Sequence, residues 1–433
     1  MQPTLTIEPV ADCESGMDSS SRPLTKYRSQ AIILGVALLT RLLALWSVLS
    51  RHPKDWLYSH PYEMGLVANS LVHGHGYSSP FGGSTGPTAF IAPGYPTLIA
   101  GIFLLFGTFT FASVVAIMAM QILVSLVTIW LMMTVARRFG GTRAANIAGV
   151  FWAVSLPLLW IPAIFWETSF SACLVIGMIA LVIRCERTPS HAMWILFGSL
   201  SAIAALINPA LLPSLLAMMG WLAWRTWRTS RAAAVSGVLA LILVFSAWPI
   251  RNAYRFHAFI PLRSTVGFEL WMGNRPGSNG RLDDKLFLMF NQPERASYLA
   301  QGEVAYTQGK SRQAWDYIRA KPGIFVNISA RRMYRFWSGT GNIDGSPLYA
   351  LHALLTSVLG ALGLLFLYRS RERAYAVLFA LPLLLFPLPY YITHAEFRYR
   401  LNIDPVLTVL AAYAVTQLAM MISRRKSGSL PIR

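Results

Sequence analysis

Of 433 residues, 55% are hydrophobic and only 13% charged, against roughly 25% charged in an ordinary soluble domain. The apolar residues also fall in long unbroken runs, which excludes a soluble enzyme and points to a bilayer. The formal net charge of +19 does not indicate nucleic acid, because its arginines sit in short turns between apolar runs and in loops read as facing outward. Three scattered cysteines, Cys13, Cys173 and Cys185, imply neither a disulfide framework nor a metal site.

Residues 1–28 are mostly polar and read as a disordered cytosolic tail. Apolar segments long enough to span a bilayer follow at 30–49, 112–135, 144–166, 168–183, 191–207, 210–224, 232–248, 348–368, 374–390 and 401–422. The expected fold is therefore an all-α polytopic bundle of about ten transmembrane helices. Residues 29–250 form its first part and carry a first external loop, 51–111. Residues 251–346 form an external helical loop, and residues 347–433 hold the last helices and a cytosolic tail. The apolar stretch 96–106 is about half the required length and suits an external interfacial helix.

With that stretch excluded, the short turns assigned to the cytosol hold Arg137, Arg138 and Arg143, then Arg184 and Arg187, then Arg225, Arg228 and Arg231, then Arg369, Arg371 and Arg373. This is the positive-inside pattern, and it places both termini in the cytosol. The chain then reads as a multi-pass protein of the inner (plasma) membrane, in contact with anionic lipids. Orientation does not account for Arg251, Arg255, Arg263, Arg331, Arg332, Arg335, Arg398 and Arg400, which fall in the external loops close to the membrane. A phosphate-bearing ligand is one candidate cause, since guanidinium grips phosphate through two parallel hydrogen bonds; the other is that single arginines snorkel to the interface or pair with Glu and Asp at helix ends.

In the first external loop, Met64, Val67, Ala68 and Leu71 recur at helical spacing and predict an amphipathic helix over 61–72, with Glu63 in its first turn. The helix dipole favours a carboxylate there. His73 and His75 lack a third ligand at recognisable spacing, so no metal site is expected from them. Glu167 reads as a helix cap or a cavity-lining acid, and Asp404 before Pro405 as the start of the last helix. The long loop predicts helices over 293–308 and 311–318; its Tyr306, Trp315, Tyr317, Phe336 and Trp337 suit either sugar stacking or membrane anchoring.

Three stretches carry a family resemblance. They are E-M-G-L-V-A-N-S-L with G-H-G-Y-S and G-P-T-A-F-I-A-P-G-Y-P in the first loop; W-P-I-R-N-A-Y-R-F at 248–256 with G-F-E-L-W-M-G-N-R-P at 267–276; and H-A-E-F-R-Y-R-L-N-I-D-P-V-L at 394–407. In that order they resemble the external loops of bacterial membrane glycosyltransferases of the GT-C superfamily, family 39-like, related to the protein O-mannosyltransferases and the lipid A aminoarabinose transferase. The resemblance implies a GT-C-like bundle that takes a sugar from a polyprenyl-phosphate donor and passes it to an acceptor hydroxyl, on a lipid, glycan or protein, at the outer face, with inversion. It implies Glu63 as the catalytic carboxylate, with Asp55 a few residues before it; many relatives have aspartate in this role. Arg398 and Arg400 would hold the carrier phosphate, with Arg251 as a third arginine, and Glu396, Tyr95 and Asn274 would support the site. A divalent cation at the carboxylate is compatible with this chemistry, and no other cofactor is implied. The competing reading is a transporter or flippase of polyprenyl-linked sugars. Against it stand the absence of an internal repeat and the scarcity of charge at the centres of the spans, Arg41 excepted.

Overall fold

A computed structural model describes residues 23–51, 62–340 and 347–426. Among these the regular structure is helical, apart from one antiparallel bridge between Ser78 and Pro87. In chain order the helices are α1 (Pro23–Arg51), α2 (Tyr62–Val72), α3 (Gly94–Phe106), α4 (Phe111–Val154), α5 (Leu156–Trp160), α6 (Thr168–Arg187), α7 (His191–Ile207) and α8 (Leu212–Phe256). After these come α9 (Val266–Asn274), α10 (Gln292–Gln301), α11 (Glu303–Ala320), α12 (Pro322–Ser338), α13 (Pro347–Tyr368), α14 (Arg373–Leu385), α15 (Leu388–Ile392), α16 (Phe397–Leu401) and α17 (Asp404–Lys426).

Seven of the described helices are long and apolar enough to cross a bilayer. Two are of double length: α4 has 44 residues and α8 has 45. At 1.5 Å per residue either would be about twice the roughly 30 Å of a hydrocarbon core, so each must turn back. In α4 the turn falls at Gly141, whose φ of 67° is a conformation glycine adopts without a Cβ penalty. A Cβ added at Gly149 would lie 2.8 Å from the Met133 sulfur, so the two halves pack side by side. In α8 the turn falls at Ser230 (φ −145°, ψ 37°), and Met219 and Val238 line one groove across it. These two hairpins, together with the 17-residue apolar helix α7, agree with the expected bundle of about ten crossings.

The segment expected to be helical over 144–166 departs from that reading. The second half of α4 stops at Val154, Ser155 is extended (ψ 114°), and α5 starts again over a proline. The reason is chemical: the Ala153 carbonyl would need the N–H of residue 157, and Pro157 has none. Thr40 Oγ1 and Arg41 Nη1 donate to that carbonyl instead, at 2.9 and 3.4 Å, and Arg41 Nη2 donates to Trp152 O at 3.3 Å. Arg41, 1% exposed, thus caps a broken helix inside the bundle, where a cation complements the C-terminal dipole.

The basic turns gather at one end of the bundle. Arg138 pairs with Glu372 at 2.7 Å and Arg225 with Glu186 at 2.7 Å, and the rings of Phe139 and Trp221 both pack on Tyr375. At the other end the first loop and the long loop share a small core, in which Val67, Phe81, Phe90 and Ile91 meet Phe268, Met272, Leu288, Tyr298 and Tyr306. Its polar centre is Glu303, which accepts from Thr88 Oγ1 (2.6 Å), Ala89 N (2.7 Å), Ser264 Oγ (2.7 Å) and Tyr298 Oη (2.9 Å). The helices expected over 293–308 and 311–318 are divided elsewhere: α10 ends at Gln301, and Glu303 opens α11. The half-length apolar helix is present as α3, whose Ile99 and Phe103 pack with Ala68 of α2 while Leu104 and Leu105 stay exposed.

Candidate active site

Glu63 is the second residue of α2, just after Tyr62, which has a φ of 48°. A non-glycine residue in the left-handed region is a strained conformation that surrounding packing must hold. Here the Tyr62 ring packs on Trp166, centroids 5.4 Å apart. Glu63 is half-buried, and burial pushes its carboxyl above the usual carboxylate range. Its own backbone N–H and the charges of Arg398 and Arg263 oppose that shift, and Glu269 adds to it. A carboxylate that keeps some accessible surface and still feels the cost of desolvation is one that lines a recess.

The facing wall comes from the last external segment. Arg398 Nε donates to Glu396 Oε2 at 2.7 Å and Nη2 to Tyr399 Oη at 3.3 Å; Nη1 has no hydrogen-bond partner among the described residues. The guanidinium lies 4.0 Å from the centre of the Trp166 ring and 4.9 Å from that of Tyr399, within cation–π range. Tyr399 in turn stacks on Tyr390, centroids 4.4 Å apart at 14°. Arg398 is therefore fixed between a carboxylate and aromatic faces, with Nη1 left without a hydrogen-bond partner among the described residues.

A second carboxylate, Glu269 in the first turn of α9, lies within electrostatic reach of Glu63 and Arg398. Burial pushes it up as well, against the charges of Arg263 and Arg398. Arg263 Nη2 lies 3.7 Å from Glu269 Oε1, and His394 Nδ1 lies 3.1 Å from Oε2. The His394 contact is close but off the line of a hydrogen bond, so neither of its two atoms has another partner. His394 Nε2 sits 2.8 Å from Tyr399 Oη. Burial lowers the His394 imidazole to about 4, so near neutral pH it is uncharged. Tyr399 Oη thus joins His394 to Arg398, whose Nη2 donates to the same oxygen.

Of the residues expected from sequence, Glu63, Arg398 and Glu396 come together. Arg400 and Arg251 do not stand free for a phosphate. Arg400 is 0% exposed: Nη1 meets the Asp404 carboxylate, and Nη2 donates to Ala353 O (3.0 Å), Thr356 Oγ1 (2.6 Å) and Ser357 Oγ (3.0 Å). Asp404 also pairs with His352 Nε2 at 2.8 Å, so this arginine ties α16, α13 and α17 together. Arg251 donates to the carbonyls of Thr88 (2.7 Å) and Tyr77 (2.8 Å), pinning the first loop to the end of α8. The reason is the same in both cases: protein acceptors already occupy the terminal nitrogens of the guanidinium group.

Asn274 is buried and structural in its contacts. Its amide donates to Leu270 O and Ile392 O, both at 2.8 Å, and its oxygen accepts from Arg332 at 3.1 Å. Beside it, a Cβ on Gly273 would lie 1.7 Å from Thr393 O, so only glycine lets these backbones meet. Tyr95 is buried against Phe170, centroids 5.7 Å apart, and its hydroxyl has no hydrogen-bond partner among the described residues. Asp55 lies outside the described residues. Sequence reasoning did not single out Glu269, His394, Tyr390 or Trp166 for the site, although Glu269 and His394 stand inside the motif strings. Among the described residues no three His, Cys, Asp or Glu side chains group as metal ligands.

No family model matches the sequence, and no curated protein does. The structure does resemble solved ones. The apo oligosaccharyltransferase of Archaeoglobus fulgidus aligns with a TM-score of 0.54 and 12% identity over 96% of this chain and 54% of that one. The same enzyme in complex with Zn and sulfate aligns with a TM-score of 0.54 and 13% identity over 92% and 51%. The archaeal oligosaccharyltransferase AglB from that organism, in complex with an inhibitory peptide and a dolichol-phosphate, aligns with a TM-score of 0.50 and 12% identity over 94% and 52%. The chain thus spans about half the length of these neighbours, and what it shares with them is the fold, an all-α membrane bundle.

Proposed function

We propose that the protein is a membrane glycosyltransferase that moves a sugar from a polyprenyl-phosphate carrier to an acceptor hydroxyl, with inversion. The observation that carries this reading is that Tyr62, next to Glu63 in the first loop, and Arg398, from the segment before the last helix, both pack on the Trp166 ring, which brings Glu63 within electrostatic reach of Arg398. Support also comes from the fold, which it shares with an oligosaccharyltransferase whose structure holds a dolichol-phosphate.

Each wall of the recess has a task. Displacing phosphate from the anomeric carbon builds charge on the leaving oxygens. Arg398 meets that charge with its Nη1 corner, and Arg263, with a side chain 33% exposed, adds a second cation nearby. The acceptor hydroxyl loses a proton as it attacks, and Glu63 takes it; a carboxyl pushed up by burial is a better base than an ordinary one. Phosphate leaves without needing a proton donor, so one principal carboxylate suffices for a single inverting displacement. Trp166, Tyr62 and Tyr399 supply aromatic surface against which a sugar ring can pack.

The membrane orientation belongs to the same proposal. The end bearing the paired basic turns faces the cytosol of the plasma membrane, with both termini, and the recess faces outward. The acceptor is a lipid, glycan or protein hydroxyl on that side. The test is to supply protein in vesicles with a polyprenyl-phosphate sugar. A transferase releases free polyprenyl phosphate when an acceptor is added, whereas a flippase moves the donor intact and releases none.

A further inference from the structure

A second group of arginines lies on the same end of the bundle, outside the recess. Arg335 Nη1 donates to Asn279 O at 2.7 Å, and the Arg281 backbone N–H donates to Asn279 Oδ1 at 2.9 Å, so two cationic residues converge on one turn. Arg331 precedes Arg335 by four residues on α12, which places both on one face. Arg332, between them, is turned inward and donates to Ile392 O at 3.0 Å. The carboxylate of Asp283 is taken by Arg275 at 2.5 Å, and among the described residues no ion pair reaches Arg281, Arg331 or Arg335. The Nε atoms of Arg281 and Arg275 are shielded from water and have no hydrogen-bond partner. Burial lowers the pKa of Arg335, and the nearby charges of Arg281 and Arg331 add to that shift.

The position of α12 indicates what meets these charges. Its end is docked on the bundle, with Ser357 Oγ donating to Trp337 O at 2.9 Å and Trp337 Nε1 to Tyr391 Oη at 2.6 Å. On the side of the helix that carries Arg331 and Arg335 it exposes Ile324 and, at the edge of that side, Tyr334. A helix that exposes apolar and aromatic residues beside arginines, at the end of a membrane bundle, lies where lipid headgroups are. We propose that Arg281, Arg331 and Arg335, with Arg275 beside them, form a binding site for the anionic headgroup of a membrane lipid. The guanidinium forks hold its phosphate, and the exposed residues of α12 pack against its acyl chains. This site stands independently of the transferase reading.

The test uses the full chain in bilayer discs of phosphatidylcholine containing phosphatidylglycerol, with native mass spectrometry counting the lipids retained after extraction. Arg331 makes no hydrogen bond among the described residues, and the Arg281 side chain makes none, so Arg281→Gln with Arg331→Gln leaves the fold intact; size-exclusion elution verifies this. The wild type retains phosphatidylglycerol over phosphatidylcholine. The double variant loses that preference by roughly tenfold, and Arg312→Gln, on exposed surface of α11, keeps it. Equal retention of the two lipids by the wild type, or undiminished preference in the double variant, overturns the proposal. So does displacement of phosphatidylglycerol by inorganic phosphate, because the site would then be one for a soluble anion.

Discussion

Arg398 and Glu396 are held at 2.7 Å through the Nε edge of the guanidinium, which leaves the Nη1 corner turned away from that pair. Glu396 is therefore the residue that aims Arg398, and the two should separate on mutation. Arg398→Ala should weaken binding of polyprenyl phosphate to the purified protein by roughly ten- to a hundredfold, the range for losing hydrogen bonds to a charged group. Glu396→Gln should bind the carrier at least as well as wild type while slowing turnover. Calorimetric titration with the carrier decides between this and an anchoring role, for which neither affinity changes.

Arg400 gives a contrasting expectation. Its side chain and that of Asp404 are both 0% exposed and paired with each other. Removing one member of a buried pair leaves the other uncompensated, at a cost of about 3–5 kcal/mol. Arg400→Ala and Asp404→Asn should therefore lower the unfolding temperature in detergent. The carrier affinity of the fraction that stays folded should remain that of wild type. Weakened affinity with unchanged thermal stability would return Arg400 to the phosphate site.

His394 predicts a pH dependence with a definite sign. Its folded value of about 4 lies below the ordinary 6.5, so below 6.5 the unfolded chain takes up a proton that the folded chain resists. Stability from this residue is complete above about 6.5 and is lost as pH falls towards 4, up to about 3 kcal/mol in all. Glu63 and Glu269, pushed up by burial, act in the opposite sense as they protonate. The measurement is therefore a difference: melting temperature against pH for wild type and for His394→Gln. The variant should lose less stability between pH 6.5 and 4, and identical curves would contradict the assignment.

Glu303 joins the two outer loops through four hydrogen bonds. Glu303→Ala should leave Thr88, Ser264 and Tyr298 without their shared acceptor, at about 1–3 kcal/mol for each group left buried and unsatisfied. Limited proteolysis should then cut within 257–340 faster than in wild type, while the transmembrane core stays resistant. Equal cleavage rates would show that the apolar contacts alone hold the loops.

The membrane fold was largely legible in the sequence because the bilayer imposes length and polarity on every crossing, and a run of apolar residues records both. The break at Ser155 was not, although Pro157 stood in plain view: whether a proline ends a helix depends on a donor supplied from elsewhere, here Thr40 and Arg41. The site was legible in part for a related reason. Glu63 and Arg398 could be picked out by residue type and motif, but an arginine reads the same in sequence whether its hydrogen bonds go to Asp404, to the carbonyl of Thr88, or to a ligand. Only the fold distinguishes Arg400 and Arg251 from Arg398, and only the fold brings Glu269 and His394 to the same recess.

The most direct test of the central claim is single-turnover release of polyprenyl phosphate from a polyprenyl-phosphate sugar, in the presence of acceptor, by wild type and by Glu63→Gln. The account predicts release by wild type, with a rate that falls as pH drops through the raised Glu63 value. It predicts that the Gln variant binds the carrier with undiminished affinity but releases it at least about a hundredfold more slowly. Turnover at the wild-type rate in Glu63→Gln would contradict it.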